Sequence, residues 1–192
     1  MLIPIRHEIF RYEHLLTSGK NLEDIKHFYV SKETGKGLED YLKENAEYEE
    51  RRKLNRTYLV KAKDTDEIVG YFSLRAGLFT IDDGTTNAIN FYSVPAIELS
   101  NFAVNSAYRA IHPEILGIGT SIFKNFILPI ARYTAEIIGV QALYIYALPE
   151  DELIDHYATF GFSRLDPELE DFVHKHVKPA YDESCIFMYQ IL

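Results

Sequence analysis

The stretch Val94–Thr120, VPAIELSNFAVNSAYRAIHPEILGIGT, constrains this chain most, because it joins a strand to a helix start that carries glycines. Ala96 to Val104 alternates loosely and is closed by Asn105 and Ser106, which predicts a strand ending in a loop. Residues 105–116 read as irregular and are punctuated by Pro113. Gly117, Ile118, Gly119 and Thr120 then precede Ile122, Phe123, Phe126, Ile127 and Ile130, an apolar set at helical spacing. Glycines in a first helical turn let a ligand approach the backbone, and the orphan N–H groups and the dipole there favour an anion. A strand edge beside such a helix start can hold a phosphate. A GxG before a helix is, taken alone, more often a turn or packing feature.

The segments around this stretch set its context. Arg56 to Lys63 and Glu67 to Thr80 are β-rich runs separated by the polar turn Lys63-Asp64-Thr65-Asp66, which predicts an antiparallel hairpin. Ile81 to Ser93 has turn chemistry at Asp83-Gly84 and no period, and reads as a surface insertion. Pro129 interrupts the helix that follows Gly119, so that helix is kinked near Leu128 or made of two segments. Ala142 to Leu148 is the next strand, followed by a short helix containing His156-Tyr157-Ala158-Thr159-Phe160-Gly161-Phe162. Upstream, Ile9, Phe10, Tyr12, Leu15 and Leu16 suggest a short amphipathic helix, and Asn21-Leu22-Glu23-Asp24 a cap with an acidic first turn. Leu38, Tyr41, Leu42 and Tyr48 follow helical spacing, and Asp166 to Asp182 reads as an acidic loop or short helix before a closing strand.

This order resembles the GNAT superfamily of acetyl-CoA-dependent N-acetyltransferases. Its pattern is a splayed strand, a Q/R-x-x-G-x-G/A pyrophosphate loop, a helix, a strand, and a helix carrying Y-x-x-x-G-F. Glu39-Asp40-Tyr41-Leu42, the strand Arg56-Thr57-Tyr58-Leu59-Val60 and the strand Ile68-Val69-Gly70-Tyr71-Phe72-Ser73-Leu74 look like the toxin-type branch, over roughly residues 35–165. The resemblance implies one domain over residues 1–192, an α/β (α+β) fold with a mixed, mostly antiparallel sheet, helices on both faces and a splayed central strand pair. It also implies acetyl-CoA as acetyl donor and a primary amine, small-molecule or protein, as acceptor. The toxin branch adds aminoacyl-tRNA as an acceptor and an antitoxin as a partner. One departure stands out: Glu114 occupies the Gln or Arg position of the loop, and a carboxylate there repels a pyrophosphate unless it turns outward.

Acetyl transfer to an amine needs a neutral nucleophile, a polarised carbonyl and a proton for the departing thiolate. Tyr157 is the candidate donor, since a phenol near pKa 10 is still protonated at neutral pH, and the family pattern places the matching tyrosine by the cofactor sulfur. Glu98 interrupts an apolar strand and is the candidate base, facing a cleft if Ile97 and Leu99 face the core. Backbone groups of Phe102, Ala103 and Val104 would pair with the pantetheine arm, and the N–H groups of Gly117, Ile118, Gly119 and Thr120 would hold the pyrophosphate.

Composition narrows the alternatives. At 47% hydrophobic, the 192 residues exclude a disordered chain and can bury a sizeable core. The N-terminal stretch has no signal-peptide core and no apolar run is long enough to span a bilayer, which suggests the cytoplasm. The single cysteine, Cys185, reads as a small buried thiol. No metal site is expected, because His174, His176 and Asp171 lie in an acidic surface segment. A formal charge of −9 argues against a general nucleic-acid binder, yet Arg51, Arg52, Lys53, Arg56, Lys61 and Lys63 form a run with no acid inside it. That run is either a basic patch or the solvated face of a helix and strand. A homodimer and a GNAT-shaped binding protein without catalysis both stay open.

Overall fold

The computed structural model of the chain describes residues 3–82, 91–176 and 184–192. These fall into two compact units, one of Met1–Arg75 with Ser100–Ile130 and one of Ala76–Leu99 with Ala131–Leu192. Seven strands follow the hydrogen-bonded order β1-β2-β3-β4-β5-β7-β6, with β1 Phe10–His14, β2 Arg56–Ala62, β3 Ile68–Asp82, β4 Phe91–Val104, β5 Ala142–Ala147, β6 Ser163–Arg164 and β7 Ile186–Ile191. The β1–β2, β2–β3, β5–β7 and β6–β7 ladders are antiparallel. Strands β4 and β5 run parallel, pairing Ala96, Ile97 and Glu98 with Ala142, Leu143 and Tyr144. That register ends at Glu98, although β4 continues to Val104 and β5 to Ala147. This is the mixed, mostly antiparallel sheet that the resemblance implies.

In the first unit the pleat separates two cores. Phe10, Tyr12, Tyr58, Val60 and Phe72 share one face, where Tyr12 and Tyr58 lie 5.8 Å apart and Phe126 lies 5.5 Å from Tyr12. The opposite face buries Leu59, Tyr71 and Ala103 with Leu42 and Ala46. Those last two sit on a helical segment that runs from α2 (Lys36–Asp40) through a π-turn at Tyr41–Asn45 into α3 (Ala46–Arg51). Helices therefore cover both faces of this half of the sheet.

Several local expectations are corrected. Residues 10–14 form a strand rather than a helix, since Phe10 and Tyr12 alternate inward while Arg11 and Glu13 point away with period two. The first helix, α1 (Gly19–Asp24), is capped by Ser18, whose hydroxyl accepts from Lys20 N–H; Asn21 lies inside it, fully buried. Its amide oxygen accepts from the ammonium of Lys61 at 2.7 Å. Residues 106–111 are not irregular: Asn105 caps α4 (Ser106–Ile111) through its side-chain oxygen, which accepts from Ala107 N–H at 3.1 Å. The supposed insertion is shorter than expected, because Ile81 continues β3 and Tyr92 and Ser93 already belong to β4, where Phe79 and Val94 share an apolar core. Its Asp83-Gly84 turn lies outside the described residues. Pro129 does not break its helix. Instead α5 (Ile118–Ile122) widens into a π-turn at Phe123–Ile127 and continues as α6 (Leu128–Ile137), a local register change that accommodates the missing N–H.

The helix joining α2 to α3 is anchored by Glu39. Its carboxylate is 5% exposed and accepts from Lys36 at 2.6 Å, Lys43 at 2.8 Å and Val30 N–H at 3.0 Å. Burial opposes its ionisation, yet the two ammonium groups and the N–H outweigh that and hold it at about 2. A folded pKa below the unfolded value gives stability that is present above pH about 4.5 and lost as pH falls toward 2. Glu39→Gln is expected to flatten this part of the pH–stability profile and to cost about 1–3 kcal/mol at neutral pH, measured by urea unfolding across pH 2–7.

Candidate functional site

The first unit brings together most of the residues expected to bind a phosphate-bearing cofactor. Gly117 caps α5 with φ 64° and ψ 31°, a left-handed conformation that suits glycine. Its carbonyl accepts from Ser121 N–H at 2.9 Å, the first intrahelical bond, so the N–H groups of Ile118, Gly119 and Thr120 precede the ladder. No side chain caps this helix start. A Cβ on Gly119 would lie 3.7 Å from Val104 Cγ2 and 3.9 Å from Phe102 Cζ, so the end of β4 packs directly on the first turn. Gly70 makes this approach possible. A Cβ there would come within 2.8 Å of both the Ala103 carbonyl oxygen and Ile122 Cδ1.

Glu114 is exposed, and its carboxylate meets His112 Nδ1 at 3.3 Å. The side chain turns outward, with 67% of its surface exposed. The carboxylate in the loop motif is thereby kept in water.

The second unit holds the two candidates for proton transfer. Tyr157 lies on α7 (Asp151–Thr159), buried, with Phe160 and Phe162 packed edge-on against its ring. Among the described residues its hydroxyl has no hydrogen-bond partner, and burial alone pushes the phenol well above its ordinary value. It is therefore a group that stays protonated. The turn after it is fixed by Gly161, at φ 91°, and by Gln190 on β7, whose amide donates to the Phe160 carbonyl at 3.0 Å. Phe162 N–H reaches back to the Tyr157 carbonyl at 3.2 Å. Sequence reading passed over Gln190, a lone polar residue in an apolar closing strand.

Glu98 is not on an open strand face. Ile97, Glu98 and Leu99 are all 4% exposed, because this part of β4 is buried on both sides. The Tyr144 hydroxyl donates to Glu98 Oε2 at 2.7 Å. Gly77 makes room for that phenol, since a Cβ at 77 would lie 2.4 Å from the Tyr144 oxygen. Neither Tyr144 nor Gly77 could be singled out beforehand: the only signal was a tyrosine three residues into an apolar strand.

The basic run from Arg51 to Lys63 does not form a patch. Arg51 pairs with Glu47 at 2.7 Å and Arg56 with Glu50 at 2.5 Å. Lys61 is 1% exposed and sits 3.1 Å from Glu13, with Asp24 and Asp66 just beyond. The Lys63 ammonium donates to the His7 carbonyl. Within this run, Arg52, stacked over Tyr48, and Lys53 have no carboxylate or carbonyl partner among the described residues.

No protein-family model matches the sequence. Solved structures do match it. A Tyr-to-Phe mutant of KacT is 17% identical with a TM-score of 0.68, covering 96% of this chain and 95% of its own. A Tyr-to-Phe mutant of the AtaT toxin, bound to the C-terminus of the antitoxin AtaR and acetyl-CoA, is 15% identical with a TM-score of 0.65, covering 96% and 94%. AtaT complexed with acetyl-methionyl-tRNAfMet is 16% identical with a TM-score of 0.64, covering 93% of each chain. The chain has the fold of these toxins. The match extends over 93–96% of the chain in each case. No helix among the described residues is long and apolar enough to cross a membrane.

The buried Glu98–Tyr144 pair is the clearest energetic feature of the second unit. Tyr144→Phe leaves a buried carboxylate short of a donor and is expected to cost about 1–3 kcal/mol. Gly77→Ala clashes with the same hydroxyl, so combining the two changes should cost less than the sum, by at least about 0.5 kcal/mol in a thermal-unfolding double-mutant cycle. Additivity would show that the phenol does not set the space at 77.

Proposed function

We propose that this chain is an N-acetyltransferase that moves acetyl from acetyl-CoA to a primary amine by direct attack. The observation that carries the reading is the contact of Gly119 with Val104 and Phe102. It sets a bare helix start against the end of a strand, within a fold shared over 96% of the chain with an AtaT mutant toxin bound to acetyl-CoA. In this reading the N–H groups of Gly117, Ile118, Gly119 and Thr120 take the pyrophosphate, and backbone groups of Phe102, Ala103 and Val104 pair with the pantetheine arm.

The amine nitrogen attacks the thioester carbonyl, the C–S bond breaks, and the nitrogen gives up a proton as the sulfur gains one. Tyr157 supplies the proton to sulfur: its raised pKa keeps it protonated at every physiological pH, and its hydroxyl has no competing partner among the described residues. Glu98 takes the proton from nitrogen through water, while its bond to Tyr144 fixes the carboxylate. An α-amine near pKa 8 needs little deprotonation, so the tyrosine carries more of the rate than the carboxylate.

For the acceptor we favour an aminoacyl-tRNA, with an antitoxin as partner, because AtaT of the same fold is complexed with acetyl-methionyl-tRNAfMet and with AtaR. The pairing of the Arg51–Lys63 run counts against that run as the tRNA surface, so a small-molecule or protein amine is the second reading. A GNAT-shaped protein without catalysis is the third. The cytoplasm, with its tRNA and acetyl-CoA, is the compartment this reading requires.

Calorimetric titration with acetyl-CoA is the deciding experiment. Wild type should bind, and Gly119→Glu, which puts a carboxylate among the phosphate-binding N–H groups, should not. With aminoacyl-tRNA as acceptor, Tyr157→Phe should lower kcat by roughly 10²- to 10⁴-fold with acetyl-CoA affinity retained, and Glu98→Gln by less. Absence of wild-type binding at millimolar acetyl-CoA would sink the transferase reading. Binding without turnover on any amine would leave the non-catalytic alternative.

A further inference from the structure

Gln190 interrupts the apolar closing strand Ile186–Ile191 and is 8% exposed. A buried primary amide brings two N–H donors and an acceptor that all need partners, and here only part of that need is met. Nε2 donates to the Phe160 carbonyl at 3.0 Å, whereas Oε1 is shielded from water and has no hydrogen-bond partner among the described residues. The reverse orientation would set two oxygens against each other. An acceptor orphaned in this way costs at least as much as one hydrogen bond contributes, so Gln190 adds little net stability. What an apolar side chain of the same length could not supply is a donor aimed at one carbonyl.

That carbonyl belongs to the turn that grips Tyr157. Helix α7 ends at Thr159, and the N–H groups of Phe160 and Phe162 both return to the Tyr157 carbonyl, at 2.9 and 3.2 Å. The Phe160 carbonyl lies beyond this ladder, among the terminal groups that need an outside donor. The two phenylalanines on either side of Gly161 stand edge-on to the Tyr157 ring, with centroids 6.2 and 5.6 Å away, and both are buried. Strand β7 fixes this clamp at two consecutive residues: Tyr189 pairs with Ser163, the residue after Phe162, and Gln190 holds Phe160. A Cβ on Gly161 would sit 3.4 Å from Gln190 Nε2, so the amide lies directly against the turn.

We propose that Gln190 is a positioning residue for acetyl transfer: by holding the Phe160 carbonyl it sets the Phe160–Phe162 clamp, and through the clamp the direction of the Tyr157 hydroxyl. The proposal rests on the reading of Tyr157 as the proton donor to the departing sulfur. A donor must come within hydrogen-bond reach of the sulfur in the transition state, and a displacement of about 1 Å is enough to lose that geometry. With no hydrogen bond of its own among the described residues, the Tyr157 hydroxyl is aimed by packing alone.

The test is a double-mutant cycle in kcat, with Gln190→Met and Tyr157→Phe alone and combined, on the primary amine that wild type acetylates fastest. Methionine keeps the length of the side chain and removes both the donor and the orphaned acceptor, so the thermal unfolding midpoint should change little. Gln190→Met is expected to lower kcat about tenfold with the calorimetric affinity for acetyl-CoA unchanged, and to have no further effect in the Tyr157→Phe background. Gln190→Glu, which turns an oxygen toward the Phe160 carbonyl, should lower kcat at least as much. An equal loss from Gln190→Met with and without the Tyr157 hydroxyl, or no loss at all, would overturn the positioning role and leave the transferase reading standing. So would variants at 190 that lose acetyl-CoA affinity or a cooperative unfolding transition, since the residue is then structural. If Tyr157→Phe turns over like wild type, the donor assignment and this proposal fall together, and if wild type acetylates no amine, the transferase reading falls with them.

Discussion

The close approach at Gly70 is the constraint on which the first unit depends. Where most strand residues would project a Cβ toward the helix, this one leaves room for the Ala103 carbonyl and for Ile122, each within 2.8 Å of the missing carbon. The end of β4 is therefore set against β3 by its backbone, at the Ala103 carbonyl, and the helix from Ile118 by the side chain of Ile122. Backbone contacts of that kind have little room to relax, because protein interiors are close-packed and transmit strain. The cap at Asn105 reinforces the same corner, donating its amide to the Ile68 carbonyl at 2.8 Å while its oxygen caps α4. The bare helix start at Gly117 is thus held by its neighbours, with no side chain capping it.

The second unit uses a comparable device for a polar group. Gly77 gives up its side chain so that the Tyr144 phenol can reach Glu98, and the ring is held by Phe79 and Phe187, at 5.9 and 5.7 Å. A buried carboxylate is costly unless it is hydrogen-bonded, so the phenol and the glycine exist for the same reason. Here the polar pair and the aromatic packing are one arrangement, and altering either disturbs the other.

Much of this was legible beforehand. The hairpin of β2 and β3 followed from the polar turn Lys63-Asp64-Thr65-Asp66, the strand from Ala96 to Val104 from its alternation, and Cys185 from its apolar surroundings. The glycines before the helix at 118 announced a special backbone, which Gly117 bears out. The first strand was misread because Phe10, Tyr12 and Leu15 satisfy a helical and an extended pattern over so short a span, and only pairing with β2 decides between them. The helix at 106–111 is hidden in the sequence although Asn105-Ser106 is itself a capping signal, because six residues closed by Pro113 are too short to show a helical period. Gly70 and Gly77 were invisible as functional positions. What makes each indispensable is an atom distant in the chain, Ala103 oxygen in one case and Tyr144 oxygen in the other.

Charge was the least legible property, and the reason is general. A run such as Arg51 to Lys63 is summed along the chain, whereas its field depends on partners that folding brings from elsewhere. Lys61 illustrates this best: the strand turns it under α1, where Asn21, Glu13 and Asp24 surround it, and its charge is spent inside the fold. An ammonium so enclosed costs much to desolvate and persists only because the surrounding acids and amide satisfy it. The cations that remain able to act on a ligand are those that folding leaves unpaired. In the first unit Arg6, which a tally along the chain would place in an unremarkable N-terminus, stands at a cavity beside the helix start, while the most basic segment of the sequence is nearly neutralised.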